Sequence, residues 1–101
     1  MSETEMLQAD HFLPHVNKTF RVRGGRHSLT LNQVDARQVD EREAKLLPRP
    51  PFILVFSGPP GDVLREGMYA FDVDGGPSFE FYVMPIETRV RDRQDYQAAF
   101  N

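Results

Sequence analysis

A chain of 101 residues with 40% hydrophobic content is the size of one domain and can bury a single core. It has no cysteine, which removes disulfide frameworks and thiolate metal sites. Its net charge of −3, from 12 basic and 15 acidic residues, gives no long-range steering toward nucleic acid or anionic membrane.

Residues 1–8 read as a flexible polar tail, and residues 9–101 as a single β-rich domain. The acidic start lacks a signal-peptide pattern, and no apolar run approaches the roughly 20 residues of a membrane-spanning helix. A soluble, cytoplasmic chain is expected. From Asp10 to Val16 the sequence fits a short helical turn, with Asp10 as N-cap and Pro14 limiting its length. Phe12, Leu13 and Val16 would pack that turn on a sheet as a lid. Thr19 to Arg23 alternates apolar Phe20 and Val22 with Arg21 and Arg23, as a strand buried on one side requires. Gly24-Gly25 turns the chain, and His27 to Leu31 returns as the second strand of a hairpin. The alternation shifts phase between Leu31 and Val34, predicting a β-bulge near Asn32 with pairing continuing to Val39. Residues 40–51 read as a long, charged, proline-rich surface loop, anchored by Leu46 or Leu47, because Pro48, Pro50 and Pro51 exclude regular structure.

Phe52 to Phe56 is apolar at every position and reads as a central strand covered on both faces. Residues 61–67 fit a turn or single helical turn capped by Asp62 and ended by Gly67. In Met68 to Val73, Tyr69, Phe71 and Val73 share one face. In the strand after Asp74-Gly75-Gly76-Pro77, Phe79, Phe81, Val83 and Pro85 share one face, with Tyr82, Met84 and Ile86 opposite. Tyr96, Ala99 and Phe100 stand at helical spacing and predict a short C-terminal helix. The fold class is therefore mainly β (α+β by strict count). It reads as a small antiparallel sandwich or partly open barrel of about six or seven strands, with helical segments at both ends.

Chemistry is sparse. His11 and His15 stand at i, i+4 beside Asp10, but Pro14 lies between them and His27 sits on another segment. A catalytic zinc takes three protein ligands, so these read as surface histidines and no metal site is assigned. Gly58-Pro59-Pro60-Gly61 lacks the Gly-Lys-Ser/Thr ending of a phosphate loop and reads as a rigid turn. Ser28, Thr30, Ser57 and Ser78 stand in no nucleophile elbow, and Asp72, Asp74 and Glu80 suit turn or solvent positions. No catalytic residue and no cofactor is assigned. Lys18, Arg21, Arg23 and Arg26 form one basic cluster and Arg89, Arg91 and Arg93 another. Both read as solvated faces, and nucleic-acid binding is not expected. The aromatics exceed what one sheet face needs. If the second face stays uncovered, Tyr69, Phe71 and Tyr82, with Arg21 and Arg23, would mark a surface for a protein partner or for self-association.

Five segments follow in order: Phe20 to Val22, Phe52 to Pro59, Leu64 to Tyr69, Phe81 to Ile86, and Tyr96-Gln97-Ala98-Ala99-Phe100-Asn101. From Phe12 onward this pattern resembles a family of small uncharacterised bacterial proteins, a domain of unknown function ending in a Tyr-x-Ala-x-Phe-Asn-like motif. The resemblance carries no catalytic residues, and an association with phage-tail-like genes implies an accessory or assembly role. The sequence thus points to a non-enzymatic protein-interaction or structural module. The alternative is a small-ligand-binding or catalytic β-barrel with His11, His15 and His27 near its mouth.

Overall fold

Two three-stranded meanders build the molecule, each supplying the partner that the other's outer strands lack. The computed structural model describes residues 6–100. The first meander comprises β1 (Thr19–Val22), β2 (Ser28–Ala36) and β3 (Phe52–Gly58). The second comprises β4 (Gly67–Val73), β5 (Ser78–Pro85) and β6 (Gln94–Phe100). Antiparallel pairing of β3 with β6 and of β4 with β1 closes them into a barrel of order β1-β2-β3-β6-β5-β4. Closure removes the free edges that a six-stranded sheet would otherwise present. Two helical pieces, α1 (Ala9–Phe12) with the 3-10 turn Leu13–His15, and α2 (Glu41–Leu46), lie outside the ladder.

The barrel is closed where a sandwich or partly open barrel was expected, and the predicted C-terminal helix is strand β6. Tyr96, Ala98 and Phe100 also alternate with period two, and all three are buried in β6. Pairing along β3 from Phe52↔Phe100 to Gly58↔Gln94 satisfies a whole ladder edge, which a surface helix would leave open. The loop expected over residues 40–51 contains α2. Asp40 is its N-cap, accepting a hydrogen bond from the Glu43 N–H at 2.7 Å, and the prolines follow the helix rather than interrupt it. Leu46 is 80% exposed and anchors nothing. In α1 the N-cap is Gln8, with Asp10 in the first turn. Leu13 is exposed, so Phe12 alone of the expected lid residues is fully buried. Residues 61–67 form no helix, and Asp62 faces Arg26 and His27 instead of capping. β2 ends at Ala36 rather than Val39, but the bulge is present, between Leu31 and Gln33. Of the expected tail, residues 1–5 lie outside the described residues. Leu7 packs against the core and accepts a hydrogen bond from Arg49 Nη1 at 3.0 Å.

Alternation along each strand fills the interior. Phe20, Leu29, Leu31, Phe52, Leu54, Phe56, Phe71, Val83 and Tyr96 are at most 1% exposed. All eight phenylalanines of the chain lie in this core or pack against it. Their rings interlock: Phe71 and Phe81 stack at 4.5 Å between centroids, as do Phe52 and Phe100. Phe12 closes one end, 4.5 Å from Phe79 and 5.6 Å from Phe100. Among the described residues no polar or charged residue is buried. The one deep polar contact is satisfied: the buried Tyr96 hydroxyl accepts the Leu64 N–H at 2.8 Å.

Candidate functional site

Among the described residues the interior is packed with aromatic rings and buries no charged residue, so the candidate residues must be sought on the outside and at the two ends. Strand direction separates the histidines. His11 and His15 precede β1, at the end that also holds the β4–β5 turn, where His15 Cε1 approaches Gly76. His27 belongs to the β1–β2 turn at the other end, with Nε2 3.4 Å from Asp62 Oδ1. His11 is engaged locally, Nδ1 accepting the Gln8 N–H at 2.8 Å. The barrel mouth with three histidines is therefore not formed. Among the described residues no group of three or more His, Asp or Glu could hold a metal.

The three arginines of the first basic cluster are matched by aspartates that lie far away in sequence. Arg21 pairs with Asp74 at 3.1 Å, Arg23 with Asp72 at 2.7 Å and Arg26 with Asp62 at 2.8 Å. The register of β1 on β4, Arg21↔Asp72 and Phe20↔Val73, brings two of these pairs together. The Arg23 guanidinium, and then the Ser78 hydroxyl, hold the Asp72 carboxyl below its ordinary value. Arg26 does the same for Asp62, with a smaller contribution from His27. Charges neutralised in this way offer little to a polyanion.

The aromatics divide by face. Phe71 is fully buried and belongs to the core. Tyr69 is half-buried, packs on the core and donates its hydroxyl to the Arg65 carbonyl at 2.7 Å. Tyr82 alone of the three points outward, 45% exposed, and its hydroxyl donates to Glu66. That hydrogen bond, followed by partial desolvation and the Glu66 charge, raises the phenol above its usual range. Opposite Tyr82 on β4 stands Met68, 61% exposed, so the two form an exposed cross-strand pair.

Beside this pair the barrel wall is splayed. Among the described residues β5 and β6 are ladder-paired only at Met84↔Gln97 and Pro85↔Tyr96, with one further bond from the Ile86 N–H to the Asp95 carbonyl. Continuing that register would set Tyr82 against Ala99 and Phe81 against Phe100, and there the ladder stops. A groove of about 480 Å³ opens over the gap, lined by Met6, Leu7, Arg49, Met68, Tyr82 and Phe100 among others. The Arg49 guanidinium lies 5.2 Å from the Phe100 ring centroid, and its buried Nε has no hydrogen-bond partner among the described residues. Sequence reasoning found Tyr82 but missed Met68, Met6 and Arg49. The outward phase of Met68 was legible, whereas its exposure and the approach of Arg49 depend on barrel closure.

No helix among the described residues is long and apolar enough to cross a membrane. Comparison with curated proteins and with solved structures gave no match. A family model described as a domain of unknown function (DUF6916) matches residues 7–100, the whole barrel with its N-terminal plug, and the chain belongs to that family.

Proposed function

We propose that this domain is a non-enzymatic interaction module that docks protein on the outer β4–β5–β6 face, in an accessory or assembly role. The observation that carries the reading is the exposed Met68–Tyr82 pair beside the unpaired stretch of the β5–β6 seam. Apolar side chains are not scarce inside this barrel, yet two large ones stand together in solvent above a groove whose lining is mainly apolar. Contiguous exposed apolar surface of this kind marks contact sites. The resemblance to small bacterial proteins associated with phage-tail-like genes supports an assembly role, and the cysteine-free composition suits a reducing, cytoplasmic setting.

Site-specific photo-crosslinking tests this reading. Benzoylphenylalanine placed at Tyr82 is expected to trap a protein in living cells, while the same group at exposed Asn32 on β2 is not. Equal capture at both positions, or none at Tyr82, would remove the assignment of this face.

A further inference from the structure

We propose that the occupant of this face is a second copy of the chain, joined in an isologous two-fold dimer centred on Tyr82. The inference rests on the reading of the face as a docking surface and commits it to one partner. A two-fold interface sets a patch against itself, so the patch must be self-complementary in both shape and charge. Its centre satisfies the first demand: Met68 and Tyr82 are side by side on neighbouring strands, and each can pack on the other's counterpart. Its flanks satisfy the second. Arg49 stands on the β6 side, against Phe100, and no acid lies within ion-pair distance of it among the described residues. Glu66 immediately precedes β4 and Glu80 lies on β5 beside Tyr82, and neither makes an ion pair among those residues. Elsewhere the arginines of β1 and its turn are each matched to an aspartate within the chain. Here one cation and two anions rim an apolar centre: Arg49 and Glu80 line the groove itself, and Glu66 is held at the Tyr82 hydroxyl. A two-fold axis through Tyr82 lets the Arg49 of each copy meet Glu66 or Glu80 of the other, forming two symmetric ion pairs that the described residues of a single copy do not make. Burial also gives the half-satisfied guanidinium an acceptor, which strengthens the attraction as water is excluded.

The test is sedimentation and light scattering of the full chain between about 10 and 500 µM, the range expected for a face of this modest size. Wild-type protein is expected to move from monomer to dimer across that range. Met68→Lys should weaken association by about tenfold or more, because an ammonium would be buried at the centre. Glu66→Lys/Glu80→Lys should weaken it similarly through like charge against Arg49, and mixing that variant with Arg49→Glu should restore a heterodimer. Circular dichroism confirms that each variant keeps the barrel. Should Arg49→Glu fail to fold, Met68→Lys and the glutamate reversal, both on exposed side chains, decide the matter. A wild-type monomer throughout overturns the dimer, as does a dimer indifferent to Met68→Lys and to the glutamate reversal. If Tyr82 still cross-links a different protein in that case, the docking face stands with another occupant. If it traps nothing, both readings fall.

Discussion

Replacing Phe12 with alanine tests whether α1 is a structural plug or only an appendage. Phe12 is 0% exposed, and its ring lies 4.5 Å from Phe79, 5.6 Å from Phe100 and 5.9 Å from both Phe52 and Phe81. Burying a phenylalanine of this kind removes about 150–200 Å² from water, worth about 4–5 kcal/mol at roughly 25 cal/mol per Å². Truncation would leave the rings of Phe79 and Phe100 against a void or against water, within the ~3–5 kcal/mol measured for such changes in other cores. A domain of this size holds about 5–15 kcal/mol in all. Phe12→Ala should therefore lower the melting temperature by about 12–40 °C, at ~4–8 °C per kcal/mol. Urea unfolding with intrinsic tyrosine emission and circular dichroism gives the free energy directly. Leu13→Ala is the internal control, because Leu13 is 51% exposed and one residue away; it should cost less than about 1 kcal/mol. Equal losses for the two variants, or a Phe12→Ala loss under about 1 kcal/mol, would refute the plug.

Two further outcomes test the interior and the charge pairing. Tyr96→Phe keeps the ring in the core but leaves the buried Leu64 N–H without its acceptor, so stability should fall by about 1–3 kcal/mol in the same urea assay; a change below about 0.5 kcal/mol would show that water or another group serves that N–H. The Asp62 and Asp72 carboxyls, both lowered from the ordinary 3.8 by their arginines, should titrate below that value in carbon-detected NMR. Because their folded values are depressed, the stability they lend is present above about pH 4 and lost as the pH falls through the folded values. Both are solvent-exposed, so the contribution is small. Asp72→Asn should flatten that acid limb, and an unaltered limb would mean that Arg23 does not stabilise the charged form.

How much was legible follows from which interactions were local. β1, β2, β4 and β5 with their inward faces, and the bulge beside Asn32, could be read because alternation and turn residues such as Gly24, with φ of 78°, act over a few positions. β3 was located, but of the two faces expected to be covered only that of Phe52, Leu54 and Phe56 is buried. α2 was also readable in principle: Asp40 followed three residues later by Glu43 is a capping signature, outweighed in our reading by the prolines beyond it. β6 was not, since Tyr96, Ala98, Ala99 and Phe100 satisfy helical and strand periods alike, and only the waiting edge of β3 decides between them.

By itself, then, the sequence determined a mainly β domain with a phenylalanine core and no evident reaction chemistry. The tertiary structure decided that the barrel closes, that β6 completes it, that arginines of β1 and its turn meet distant aspartates, and that Met68, Tyr82 and Arg49 share one groove. Side-chain alternation is fixed by the pleat of a single strand and needs no partner. Edge pairing, charge matching and the composition of a surface patch require residues tens of positions apart to meet, and that is settled only when the two meanders close on each other.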